Sequence, residues 1–169
     1  FSPKVCMGKA PIDISATILG DKLSMPLVIA PTGPVRFIHP DGEIGAAKAA
    51  AAMGIPISIS TLCSTPVQEV VQANEKTWLQ LYMIKGREGA SYTMNLAREA
   101  GCHVLVMTLD VAAITPTDHI GPALPMSIDL KSAIGFFPEA WRRPGWLLSQ
   151  LRDGLDMRAP NAPPHEDGR

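Results

Sequence analysis

Four short apolar runs, each closing on small polar residues and separated from the next by a helix-like stretch, set the limits on how this chain can fold. Met25-Pro26-Leu27-Val28-Ile29-Ala30 runs into Pro31-Thr32-Gly33. Ile55-Pro56-Ile57-Ser58-Ile59 runs into Ser60-Thr61, Trp78-Leu79 into Gln80-Leu81-Tyr82, and Val104-Leu105-Val106-Met107 into Thr108-Leu109-Asp110. Between the runs, Asp41 is expected to cap an Ala-rich helix over residues 43–53, with Gly54 just past its end. Thr65-Pro66-Val67-Gln68 reads as a capping box with proline at the first helical position. Residues 88–100 read as a third helix, stopped by Gly101. Strands that alternate with helices predict a parallel sheet. Such sheets bind ligands at the carboxyl ends of their strands, so four polar ends in succession predict one shared mouth.

The first run is the most informative of the four. Pro31 removes a ladder donor, and Gly33 tolerates a close backbone approach or a positive φ. A ligand can therefore sit against the main chain at that strand end. The plainer reading of any single polar residue is that it satisfies a backbone group near a loop. Four sets in order argue for a site.

Composition narrows the partners. Hydrophobic residues make up 46% and charged residues 18%, which supplies core material for a globular protein. A net charge of −1 argues against nucleic acid. No apolar run is long enough to span a bilayer. The chain opens at Phe1 without a signal peptide, which reads as a fragment. Cys6, Cys63 and Cys102 form neither a metal motif nor a disulfide framework, so a reducing cytoplasm is the expected home. No Gly-x-Gly-x-x-Gly follows a strand, which argues against a Rossmann site.

Pro31-Thr32-Gly33, Ser60-Thr61, Gln80-Leu81-Tyr82 and Thr108-Leu109-Asp110, in this order, resemble the FMN-dependent α-hydroxy acid dehydrogenases and oxidases. Phe1-Ser2-Pro3-Lys4, Leu23-Ser24-Met25-Pro26-Leu27 and His39-Pro40-Asp41-Gly42-Glu43 add to the resemblance, which is continuous over about residues 1–112. Arg143-Pro144-Gly145-Trp146 and Leu151-Arg152-Asp153-Gly154 are weaker echoes beyond it. The resemblance implies a (β/α)8 TIM barrel, a fold of about 250 residues. These 169 residues would supply its amino-terminal half, about four βα units, followed by a Pro/Trp-rich excursion.

The resemblance also implies roles. Pro31, Thr32 and Gly33 would lie along the FMN ring, with backbone groups near its reactive nitrogen. Ser60, Gln80 and Thr108 would hydrogen-bond the ring edge. Tyr82 would point its hydroxyl at a small 2-hydroxy acid, and Asp110 would accept a hydrogen bond from a catalytic histidine. Such an enzyme moves a hydride equivalent from the α-carbon to the flavin and releases the 2-keto acid. A homo-oligomer is expected at full length. The histidine base, a flavin-contacting lysine, an arginine and a glycine-rich phosphate site are not among these residues. His39, His103, His119 and His165 read as surface histidines, with His119 held open because it follows the fourth strand end. The family carries an arginine pair after the aspartate, whereas this chain reads Val111-Ala112-Ala113-Ile114-Thr115-Pro116-Thr117-Asp118. An arginine fork is the natural grip for a carboxylate.

The alternative reading is a non-catalytic remnant or interaction module. The final third changes character and divides into an excursion over residues 113–157 and a disordered tail over 158–169. Residues 136–148 mix aromatics with arginines, the composition of an interfacial segment. Peripheral membrane contact through that segment is therefore one hypothesis, and an ordinary lid or subunit contact is the other.

Overall fold

A computed structural model describes residues 11–109, 142–153 and 159–164. Asp110, the loop after it, His119, Cys6, residues 136–141 and His165 lie outside the described residues. A hairpin comes first, β1 (Ala16–Ile18) pairing antiparallel with β2 (Asp21–Leu23). Its two-residue turn, Leu19 and Gly20, takes positive φ at both positions (50° and 94°). That is the geometry whose twist suits a hairpin, although leucine rarely adopts it.

Three parallel strands follow in the order β3 (Ile57–Ile59), β4 (Thr77–Leu81), β5 (Leu105–Met107). Ser58 lies opposite Trp78, and Gln80 opposite Val106. The run expected to be the first strand contributes a single parallel bridge, Ile29 to Ile57. Ile29 N donates to Pro56 O at 3.1 Å and Ser58 N to Ile29 O at 2.9 Å. Pro26 and Pro31 flank this bridge and have no N–H to extend it. Spatial order thus follows chain order, as in successive βα units. The fold is a partial barrel of the expected class.

The strands present two different faces. Ile57, Ile59 and Leu79 pack into one core with Ala47 and Ala50 of α1 (Gly42–Ala52), Val67 and Val70 of α2 (Val67–Ala73), and Ala97 of α3 (Gly86–Ala100). The alternate residues Ser58, Ser60, Trp78, Gln80, Val106 and Thr108 share the other face, toward the barrel interior. Gly101 ends α3 with φ +87°, its N–H donating to Arg98 O and that of Cys102 to Ala97 O. The expected stop is therefore observed, and its positive φ is why glycine stands there.

Two expected caps form differently. Asp41 occupies the N-cap of α1, but its side chain makes no capping bond. The capping box at α2 is absent: Pro66 is the N-cap, with ψ 135° outside the helix. The Thr65 hydroxyl donates instead to Glu43 Oε2 at 2.6 Å. The α2 amide is capped from far along the chain, Val67 N donating to Asn161 Oδ1 at 2.9 Å. Asn161 Nδ2 donates in turn to Thr65 O at 2.8 Å and contacts Cys63 Sγ at 2.9 Å. Asn161 is 1% exposed. Asn161→Ala is expected to lower stability by about 1–3 kcal/mol, since it strands the buried Val67 amide, while Thr65 O keeps the Cys63 thiol as donor at 3.3 Å. An unchanged urea midpoint would contradict this.

The hairpin closes the amino ends of the strands. Trp78 Nε1 donates to Asp21 Oδ2 at 2.7 Å, and His103 Nε2 lies 3.2 Å from the same oxygen. Lys76 Nζ donates to Lys22 O at 2.8 Å, and Ser24 N to Gly54 O at 3.1 Å. At the opposite end, α4 (Pro144–Asp153) packs on the 3-10 turn Val35–Phe37. Trp146 meets the Phe37 ring edge-on at 5.6 Å and donates to Phe37 O at 2.9 Å. Gln150 Nε2 donates to Arg36 O at 2.9 Å. The Trp146 indole, part of the stretch read as interfacial, is thus half-buried against the 3-10 turn, while Leu148 and Leu151 of the same helix are exposed. Among the described residues no helix is long and apolar enough to cross a membrane.

Candidate functional site at the strand ends

The carboxyl ends of β3, β4 and β5 are laced together by Gln80. This side chain is 2% exposed. Its Oε1 accepts from Thr61 N at 3.2 Å, and its Nε2 donates to Thr108 Oγ1 at 2.7 Å. The Thr61 hydroxyl donates to the Gln80 carbonyl and accepts from Tyr82 N at 3.2 Å. Ser60 Oγ accepts from Leu62 N at 3.1 Å. A glutamine amide has two N–H donors, and among the described residues the second finds no partner. The Thr108 hydroxyl proton is likewise available. Among the described residues, two strand-end groups therefore keep hydrogen-bonding capacity.

The first strand end supplies a bare surface beside them. Pro31 and Thr32 are exposed and Gly33 is half-buried. Thr32 Oγ1 donates only weakly to Ala30 O, at 3.5 Å. Gly33 does not use the positive φ allowed for it. A Cβ there would meet only Leu62 O, at an ordinary 3.8 Å. Tyr82 is half-buried at the end of β4. The structure thus joins Gln80 and Thr108 directly and Tyr82 to them through Thr61. Ser60 and the Pro31–Gly33 corner lie at the neighbouring strand ends. Thr61 ties β3 to β4, a role that depends on contacts 19 residues apart and leaves no local signal in the sequence.

Deeper on the same interior face, Ser58 Oγ is the buried side-chain polar atom with no partner among the described residues. Buried polar groups are normally satisfied. Ser58→Ala is expected to change stability by less than about 0.5 kcal/mol, because it removes an unmade bond. A larger loss in urea titration would show a partner there.

Behind the mouth sits a buried carboxylate, Glu43, which the sequence places in the His39–Glu43 stretch of the resemblance and at the start of the first helix without a role of its own. Glu43 is 3% exposed. Its Oε1 accepts from Val35 N at 3.2 Å and Ser64 N at 3.0 Å, and its Oε2 from Thr65 Oγ1 at 2.6 Å. Ser64 Oγ lies 3.1 Å from both oxygens and accepts from Arg36 N at 3.2 Å. Burial alone would push this carboxyl up, but the hydrogen bonds from Thr65, Ser64 and Val35 together outweigh it and hold it below its ordinary 4.5. The folded value lies under the unfolded one. The ionised form therefore stabilises the fold above about pH 4.5, and that contribution is lost as pH falls through the folded value. Glu43→Gln is expected to remove this component from the acid-unfolding curve. A variant whose pH dependence matches the parent would contradict the assignment.

Cys63 is fully buried, and burial, with the Glu43 carboxylate nearby, pushes its thiol up to about 11. It is expected to resist thiol reagents in the folded chain and to react on denaturation. His39 lies in an exposed loop, and half-exposed His103 contacts Asp21 at the opposite end of the strands. Among the described residues no cluster could hold a metal.

The geometry suits the edge of a planar heteroaromatic ring. Fixed polar groups on Gln80 and Thr108 stand beside an uncluttered Pro31–Gly33 surface, as such ligands need. A family model described as FMN-dependent dehydrogenase matches residues 1–164. The chain is 36% identical to the pre-mycofactocin synthase of Mycolicibacterium smegmatis over 161 residues, covering 95% of this chain and 39% of that protein. It is 39% identical to the L-lactate dehydrogenase of Ectopseudomonas mendocina over 109 residues, covering 64% of this chain and 29% of that protein. A crystal structure of the monotopic membrane protein (S)-mandelate dehydrogenase superposes with a TM-score of 0.78 at 31% identity, covering 95% of this chain and 43% of that one. The chain therefore spans about two fifths or less of the length of these proteins.

Proposed function

Because this chain belongs to the FMN-dependent dehydrogenase family, we propose that it builds the flavin-ring wall and part of the substrate pocket of an enzyme that oxidises an L-2-hydroxy acid to the 2-keto acid. FMN, when bound, supplies the acceptor for the hydride equivalent. Gln80, Thr108 and Ser60 bind the polar ring edge, and Pro31, Thr32 and Gly33 back its face. Tyr82 orients the substrate through its hydroxyl. Asp110, outside the described residues, accepts a hydrogen bond from the histidine base and favours its charged form. The observation that carries the reading is the Gln80–Thr108 bond of 2.7 Å at adjacent strand ends, with donor capacity left over.

The test is a difference spectrum of the FMN-loaded chain with L- and D-2-hydroxy acids. A saturable perturbation by the L-acids alone supports the reading. A flavin-loaded chain indifferent to every 2-hydroxy acid would overturn it.

One observation favours a second reading, in which the substrate is not held by a carboxylate. Residues 111–118 contain no arginine. The pre-mycofactocin synthase aligns over 95% of this chain, the L-lactate dehydrogenase over 64%. On this reading non-acid substrates perturb the flavin and 2-hydroxy acids do not. A cytoplasmic, homo-oligomeric protein with peripheral membrane contact through residues 136–148 completes the proposal. The 95% coverage against a monotopic membrane protein supports the contact. Co-sedimentation with anionic liposomes tests it, and a chain that stays in solution would dispose of it.

A further inference from the structure

Two loops that approach the proposed flavin site come from different βα units, yet both end on one side chain. The first leaves Pro31–Gly33 and enters the 3-10 turn at Val35. The second leaves Ser60 and runs through Ser64 and Thr65 into α2. Val35 N, Ser64 N and the Thr65 hydroxyl all donate to the Glu43 carboxylate, at 3.2, 3.0 and 2.6 Å. Ser64 Oγ bridges back to Arg36 N at 3.2 Å, and Gly33 sits next to Leu62 O.

We infer that Glu43 is a positioning residue of the flavin-ring site: one buried carboxylate fixes the loop carrying Pro31–Gly33 against the loop that follows Ser60. The inference rests on the flavin reading above. Charge-assisted bonds to an ionised acceptor are among the strongest a loop can make. They also fix direction, because each donor must aim at one of two oxygens. Glu43 lies at the amino end of α1, where the helix dipole further favours a negative charge. It does not lie at the strand ends itself, so its effect on the ring is transmitted through the two loops. Losing it would leave two amides and two hydroxyls without their shared acceptor and let the loops move independently.

The test uses the 169-residue chain with Glu43→Ala and Glu43→Gln. Three quantities are read: FMN affinity, the visible spectrum of bound FMN at saturation, and amide hydrogen exchange over residues 31–37 and 60–65. Glu43→Ala is expected to weaken FMN by about tenfold or more, to shift the saturated spectrum, and to raise exchange in both segments together. Glu43→Gln keeps the shape and one acceptor oxygen, and should fall between. A variant with a lower melting temperature but parental FMN affinity and parental saturated spectrum would overturn the positioning role, since a merely structural residue alters how much protein is folded and not the spectrum of bound flavin. If Glu43→Ala does not fold, Thr65→Ala removes the 2.6 Å bond alone and is expected to show the same changes in smaller measure. A parent chain that binds no FMN defeats the flavin reading itself. The exchange data then decide the tie on their own: joint loosening supports it, and loosening of one segment alone overturns it.

Discussion

Trp78→Ala is expected to destabilise the chain by about 3–5 kcal/mol. Trp78 is 6% exposed in β4, and its indole N–H is the 2.7 Å donor to Asp21. The substitution opens a cavity at the amino ends of the strands. It also strips a donor from the Asp21 carboxylate, whose side chain is only 10% exposed. Trp78→Phe separates the two effects. It keeps most of the apolar contact, loses the hydrogen bond, and should cost about 1–3 kcal/mol. Urea unfolding measures both. Because the hairpin closes the end opposite the mouth, the folded fraction of either variant should bind FMN as the parent does. A cost below about 1 kcal/mol for Trp78→Ala would mean that the hairpin does not brace the sheet.

Gln80→Ala should have the largest effect on the site, weakening FMN by about tenfold or more. Three strand ends meet on this side chain, through Thr61 N and Thr108 Oγ1. Truncation frees Thr108 and leaves a buried amide without its acceptor. Gln80→Glu isolates the ligand-facing part. It keeps an oxygen for Thr61 N but removes the amide donor. Its stability should stay nearer the parent than that of Gln80→Ala, while FMN affinity falls. Equal FMN affinity in the parent and Gln80→Glu would exclude a direct bond from Gln80 to the ring.

Much of this was legible locally. The alternation of apolar runs with Ala-rich or Glu/Arg-rich stretches gave the parallel order β3-β4-β5, and Gly101 marked the end of α3. The polar strand ends could be listed because each directly follows an apolar run. What could not be read has a common cause in bonds between distant residues. Thr65-Pro66-Val67-Gln68 has the letters of a capping box, but Thr65 lies next to a buried carboxylate that claims its hydroxyl. The real cap of α2, Asn161, lies 94 residues beyond Val67 in a stretch whose composition suggests disorder. Glu43 looks like any acidic residue in a first helical turn; its role emerges only when two loops converge on it. The hairpin turn was missed because Leu19 adopts a conformation ordinarily left to glycine or asparagine.

Whether these residues by themselves form one wall of a flavin site can be measured. The most direct test is an FMN titration of the purified 169-residue chain, followed by quenching of flavin fluorescence and by the visible absorbance bands. Saturable binding with a perturbed flavin spectrum is expected, and weaker binding by Gln80→Glu. Fluorescence and absorbance that stay those of free FMN, with no saturation at concentrations up to about 1 mM, would contradict the flavin reading.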